Sequence, residues 1–143
     1  MIIADTNVVS ELMRASPDRS VMRWALRLPV ADLYITSITL AEILYGIERL
    51  PNGKRKARIR EAADEVFSTF TDQILSFDAD AASHYSTIVH DRVRLGRPID
   101  GFDAQIAAIC RSRGAGLATR NVNDFERTGI DVTDPWTSGP AEG

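Results

Sequence analysis

This 143-residue sequence predicts an α/β fold of three layers, with a mostly parallel central sheet of four to five strands between helices. Apolar runs of three or four residues, too short to be helices, alternate along the chain with longer segments whose apolar residues recur at helical spacing. That alternation of strands and helices argues for a parallel sheet covered on both faces. No internal repeat, low-complexity block or linker divides the chain, so one domain over residues 1–136 is expected, followed by a small, polar, frayed tail at 137–143.

Met1-Ile2-Ile3-Ala4 reads as a buried strand, and Asp5-Thr6-Asn7 as the turn into a short helix over Val8–Met13. Asp18 is placed to cap a second helix carrying Val21, Trp24, Ala25 and Leu28, which Pro29 stops. Leu33-Tyr34-Ile35 is the second strand. Thr36-Ser37 then caps a helix from Ile38 to Leu50 that buries Leu40, Ile43, Leu44 and Ile47, and Pro51-Asn52-Gly53 ends it. Lys54 to Thr71 is a basic-to-mixed helix with Ile59, Ala62, Ala63, Val66 and Phe70 inward. Ile74 to Phe77 forms the third strand, and Asp78 caps a helix to Leu95. After the break at Gly96-Arg97-Pro98, a helix runs from Asp100 to Arg113 and Gly114 closes it. Leu117-Ala118-Thr119 is the fourth strand, and Ile130-Asp131-Val132 a weaker fifth.

A net charge of −3 carries no global nucleic-acid signature, so an anionic partner must be met by local basic patches or by metal. Cys110 is the single cysteine and falls in an apolar helical pattern, which excludes an internal disulfide and suggests a buried thiol. With His84 and His90 the only histidines, a zinc site of the Cys/His type is not expected. No apolar stretch approaches the roughly 20 residues of a membrane span, and Asp5 interrupts any leader. A cytoplasmic protein with no membrane partner is expected.

The chemistry is carried by acids. Asp5 ends the first strand, where ligands of open α/β sheets sit. Glu42 lies roughly opposite its helix's buried stripe, yet its own face carries Ile38, Tyr45 and Gly46; a surface glutamate at the helix margin is the plain alternative. Asp103 shares its helix face with Ile106, Ala107 and Cys110, an expensive place for a charge unless it is paired or binds a metal. The helix dipole gives it a second explanation, and Asp100 serves as a cap or as support for the site. Behind the fourth strand, Thr119-Arg120-Asn121-Val122-Asn123-Asp124 offers Asn121 and Asp124 as site or turn residues. Several acids without cysteine or histidine make an oxygen-only site suited to Mg²⁺ or Mn²⁺, ions that activate water and stabilise the oxyanions of an in-line displacement. No P-loop, nucleophile elbow or dinucleotide fingerprint competes with that reading.

Four blocks in order, Ile3-Ala4-Asp5-Thr6-Asn7-Val8-Val9, Ser37 to Ile47, Asp103-Ala104-Gln105-Ile106-Ala107-Ala108 and Leu117 to Phe125, resemble the PIN-domain ribonucleases, especially the VapC and FitB-like toxins of type II toxin–antitoxin operons. The resemblance spans the chain up to Trp136 and implies a PIN fold that cuts single-stranded or looped RNA with Mg²⁺ or Mn²⁺. It implies that Asp5 and Asp103 are direct metal ligands, that Glu42 completes or orients the site, and that Thr6 and Asn7 position Asp5 or a water. Thr119 belongs to the same support. The family's fourth position, often acidic, falls on Asn121, with Asp124 three residues later able to supply the charge. A homodimer is implied, silenced by a small DNA-binding antitoxin of the VapB or FitA kind in a higher-order complex. RNA is expected on Arg49, Lys54, Arg55, Lys56, Arg58 and Arg60, on Arg92, Arg94 and Arg97, or, as the best single residue, on Arg120; a solvated helix face is the plain reading of each basic run.

Two other readings stay open on sequence. An aspartate-nucleophile phosphatase also begins with an Asp ending strand one, but wants a second Asp where Asn7 stands. A catalytically inactive PIN-like binding module would be missing site acids, whereas Asp5, Glu42 and Asp103 are all present.

Overall fold

Among the described residues, 1–137, the computed structural model holds five strands and six helices. The strands are β1 (Ile2–Ala4), β2 (Leu33–Thr36), β3 (Ile74–Leu75), β4 (Gly116–Ala118) and β5 (Val132–Thr133). They lie in the order β3-β2-β1-β4-β5, and every neighbouring pair is parallel. Ile3 stands opposite Tyr34 on one side and Leu117 on the other, so β1 is the sheet's centre.

Because successive side chains of a strand point to opposite faces, these short apolar runs feed two cores. Ile3, Leu75 and Leu117 pack with α5 (Ala79–Arg94) and α6 (Gly101–Arg113), which contribute Ile88, Ile106 and Ile109. Ala4, Ile35 and Ala118 face the other way, toward α1 (Thr6–Leu12), α2 (Arg19–Arg27), α3 (Ser37–Glu48) and α4 (Lys54–Thr69), where Val8, Val21, Trp24, Ile43 and Ala63 are buried. Three layers result, as predicted. No helix among the described residues is long and apolar enough to cross a membrane.

The topology places the site. From β1 the chain moves outward through β2 to β3, then crosses back to β4 and β5 on the far side. Beyond the carboxyl ends of β1 and β4 the connections diverge, and a crevice opens there. Asp5 and Thr119 are the residues immediately after those two strands.

Helix starts follow the predicted caps. Asp18, Thr36, Asp78 and Asp100 each accept backbone N–H groups from the first turns of α2, α3, α5 and α6. Gly114, at φ +63°, takes the left-handed conformation that ends α6. Several boundaries differ from expectation. α1 begins at Thr6 instead of Val8, because Asp5 itself caps it. β3 stops at Leu75: Phe77 turns away to pack edge-on against Tyr85, with ring centroids 5.8 Å apart. β5 sits at Val132–Thr133, because the chain turns at Gly129 (φ +81°) and Ile130 packs on the core before pairing begins. On α3 the buried stripe is Thr39, Ile43 and Ile47, and Leu44 is 36% exposed, because the threonine face turns toward α1. On α4 only Ala63 is fully buried. Of the predicted frayed tail, Thr137 sits in a turn on Asp134, and residues 138–143 lie outside the described residues.

Candidate active site

Asp5 is tightly constrained. It is 4% exposed, and its backbone N–H donates to Ala118 O (2.8 Å), continuing the β1–β4 ladder. One carboxylate oxygen caps α1 by accepting from Thr6 N (2.8 Å); the other accepts from Thr119 Oγ1 (2.8 Å) and Asn7 Nδ2 (3.2 Å). Asn7 also reaches Thr119 Oγ1 (3.3 Å) and accepts from Arg120 N (3.1 Å), while Asn121 N donates to Thr119 Oγ1 (3.1 Å). Thr119 therefore couples the ends of β1 and β4 and is fully buried. Burial pushes the Asp5 carboxyl above its ordinary range, and the Thr119, Thr6 and Asn7 hydrogen bonds work against that shift.

Glu42 is half-buried on α3 and joined to α1 by hydroxyls. Thr6 Oγ1 donates to Glu42 Oε1 (2.6 Å) and lies 3.0 Å from Thr39 Oγ1, which stands 3.5 Å from Thr36 Oγ1. A hydroxyl has one proton to give. With Thr6 spending its proton on the carboxylate, Thr39 must donate to Thr6 and Thr36 to Thr39, so the three hydroxyls form a chain directed at Glu42. Burial, then the charges of Asp5 and Asp100, raise the Glu42 pKa.

Asp103 lies in the first turn of α6, half-buried, with Ile106, Ala107 and Cys110 of its face fully buried. Burial first, then repulsion from Asp5, Asp100, Asp124 and Glu42, pushes its carboxyl up to about 7. Asp100 is exposed, and its Oδ1 accepts from Phe102 N (2.9 Å) and Asp103 N (3.4 Å), so it both caps α6 and adds to the field on Asp103. Asp124 and Asn121 are exposed on the short 3₁₀ turn after β4. Asp124 lies near enough to raise both Asp5 and Asp103, whereas the Asn121 side chain brings no charge.

The predicted acids thus converge on one crevice, and among the described residues none of the five has a Lys or Arg within ion-pair distance. Uncompensated carboxylates, oxygen donors only, and an Asp103 whose carboxyl burial and then neighbouring charges push up to about 7 form a donor set that fits a hard divalent cation. No three acidic, histidine or cysteine side chains among the described residues close into a ready-made cage.

The basic residues separate sharply. Arg92, expected among possible RNA contacts, is 4% exposed and donates to the carbonyls of Arg97 (2.7 Å), Asp124 (2.9 Å) and Glu126 (2.9 Å). It is a buried fastener of the loop that carries Asn121 and Asp124. Its sequence signal was present: it follows Ile88 by one helical turn on a buried stripe, the same mark that singles out Asp103. Arg97 pairs with Glu126 and Arg60 with Glu48, and Arg49 lies over Tyr45. Arg120 is exposed beside the crevice, its guanidinium over Trp136 (4.8 Å). A groove of about 980 Å³ opens at Thr6 and Glu42 and runs between α1, α3 and α4 past Arg14, Arg55 and Arg58. The sequence did not point to Thr36 and Thr39 as linked to Glu42 through Thr6; the i, i+3 spacing of Thr36, Thr39 and Glu42 was the available sign. Cys110 is fully buried, and burial raises its thiol pKa far beyond neutrality, so it is a packing residue.

Residues 2–131 match the PIN domain family model. The chain is 36% identical to the VapC ribonuclease Y4jK of Sinorhizobium fredii, over 95% of this chain and 98% of that protein. It is 34% identical to the toxin FitB of Neisseria gonorrhoeae, over 95% and 99%. The crystal structure of FitAcB from Neisseria gonorrhoeae superposes with a TM-score of 0.89 at 34% identity, covering 96% of this chain and 99% of that one. The chain belongs to the PIN domain family.

Proposed function

We propose that this PIN-domain chain is the toxin of a type II toxin–antitoxin pair and an endoribonuclease that hydrolyses RNA phosphodiester bonds with Mg²⁺ or Mn²⁺ in the cytoplasm. The observation that carries the proposal is the convergence of Asp5, Glu42 and Asp103, with Asp100 and Asp124 behind them, on the β1–β4 crevice without a cation of the protein's own. Resemblance to a VapC ribonuclease and to the FitB toxin supports the activity and the biological role.

Asp5 and Asp103 would hold the ion, with Glu42 completing or orienting the site. When bound, the ion supplies Lewis-acid stabilisation of phosphoryl oxygens and acidifies the attacking water. The chain's own groups do the rest. Thr6, Asn7 and Thr119 lock the Asp5 carboxylate in one orientation, so it needs no reorganisation during reaction. The hydroxyl chain from Thr36 to Thr6 gives Glu42 a donor and holds its carboxyl toward the crevice. Asp124 brings charge to the fourth position where Asn121 has none, and Arg120 extends from the crevice rim to a phosphate. Residues 1–136 act as one unit, as a homodimer. An antitoxin segment reaches the acids along the groove that opens at Thr6 and Glu42.

The test is RNA cleavage with Mg²⁺ or Mn²⁺ by the wild type, Asp5→Asn and Asp103→Asn. Either substitution is expected to lower cleavage by more than about 100-fold, beyond the ~10–100-fold loss typical of a group that only orients a ligand. Full activity in both variants sinks the assigned site, and growth arrest on expression that a neighbouring small open reading frame relieves checks the toxin role.

A further inference from the structure

Beyond the acids, a second cavity of about 560 Å³ is lined by Arg94, Arg111 and Arg127 with Asp91, Thr128 and Gly129. Among the described residues none of these arginines has a carboxylate within ion-pair distance, although four other arginines do. Arg94 and Arg111 occupy the last turns of α5 and α6, where a helix dipole favours a cation. That accounts for each singly, but not for their meeting, nor for Arg127.

Arg127 has φ +61°, the sole positive-φ residue other than glycine among the described residues. An arginine gains nothing from that backbone, since it lacks the short polar side chain that lets asparagine or aspartate settle there. Strain of this kind persists where surrounding structure enforces it, and here Arg92 does so by gripping the carbonyls of Asp124 and Glu126 just upstream. Thr128 is buried and donates to Phe125 O (2.6 Å), tying down the other side. Gly129 then leaves its face to the Arg111 side chain, whose guanidinium carbon would lie 3.6 Å from a Cβ built there. The loop is thus held so that Arg127 lines the same hollow as Arg94 and Arg111.

We infer that Arg94, Arg111 and Arg127 form a phosphate-binding site for the RNA backbone, separate from the acids and reached by the same strand; this rests on the ribonuclease reading above. Arg127 follows Asp124 by three residues, so their Cα atoms are at most about 11 Å apart. A strand whose scissile phosphate sits at the acids can pass over the loop and set a neighbouring phosphate among the arginines. Guanidinium groups suit this task because their planar forks match phosphate oxygens.

The experiment measures binding of a 12-nucleotide single-stranded RNA to the full chain in EDTA by fluorescence anisotropy, across a salt series, and separately its cleavage in Mg²⁺. Variants are Arg94→Gln, Arg111→Gln, Arg127→Gln and Arg127→Gly; the last suits the positive φ, so its thermal midpoint is not expected to fall. Each variant should weaken binding about 3–10-fold and reduce the log–log salt slope by about 0.7 for each phosphate no longer neutralised. KM should rise while kcat holds. A dinucleotide substrate, too short to span both sites, should be cut equally by wild type and variants. Unchanged affinity and salt slope overturn the site, as does a loss confined to binding an acidic partner protein. RNA binding that the wild type shows and the arginine variants lack, without any cleavage, keeps the phosphate site and instead overturns the ribonuclease reading.

Discussion

The two walls of the crevice are built on opposite principles. On the β1 wall, Asp5 is buried and accepts three hydrogen bonds, from Thr6, Asn7 and Thr119, while Glu42 takes the Thr6 hydroxyl. On the α6 wall, Asp103 has no comparable donors and is surrounded by Asp5, Asp100, Asp124 and Glu42. On the first wall, hydrogen bonds from the protein offset part of the cost of burying the charge. The second is stable only when something positive arrives. On the proposed metal-dependent reading, this division would let one wall set the ion's position and the other its affinity.

Substitution of each aspartate by asparagine should separate the walls most clearly. Both variants are expected to be inactive, yet with opposite effects on unfolding in EDTA. Asp5→Asn turns an amide donor toward the donors it was meant to accept from, which costs about 1–3 kcal/mol. Asp103→Asn removes a repelled charge and should stabilise the metal-free chain at pH 8 by about 1 kcal/mol, a figure kept small because solvent reaches the carboxyl. Urea unfolding of the two variants checks the contrast; a shift of the same sign in both would erase it.

A pH series tests the α6 wall alone. Its carboxyl holds a proton to about pH 7 in the folded chain against an ordinary value of 3.8, so the folded state binds more protons between those limits. Stability contributed by this group therefore falls as pH rises from about 4 to 7 and is lost above that window. Added Mg²⁺ should raise the melting temperature at pH 8 more than at pH 5, because protonation competes with metal. Equal gains at both pH values would mean that Asp103 does not meet the ion.

Smaller effects fall on the supports. Thr119→Val should lower cleavage about 10-fold by freeing one Asp5 oxygen, with a KM near that of the wild type. Asn121→Asp adds a charge on the turn after β4 and should lower the Mg²⁺ concentration for half-maximal rate by a few-fold. No change in that midpoint would place residue 121 outside the metal's reach.

Much of this was legible in the chain. Asp18, Asp78 and Asp100 announce helix starts because a short side chain that accepts N–H groups is needed wherever a strand or loop turns into a helix. Asp103 stood out because a carboxylate on an apolar stripe needs a reason. Arg92 carried the same mark but was absorbed into a basic run, since local sequence does not tell a solvated guanidinium from one that meets carbonyls more than thirty residues away. Strand ends slipped by a residue or two because pairing, not propensity, decides where a two-residue edge strand stops.

Sequence alone determined the alternation of strand and helix, most of the caps, the scarcity of cysteine and histidine and the candidate acids, because these depend on residue type and local spacing. Only the tertiary structure decided which acids meet. The strand order β3-β2-β1-β4-β5 brings Thr119 against Asp5 across 114 positions and sets Asp103 and Asp124 within each other's field. Parallel pairing joins residues with no local signal of one another, so the site's two walls, and the arginine hollow behind the loop, exist only once the sheet is closed.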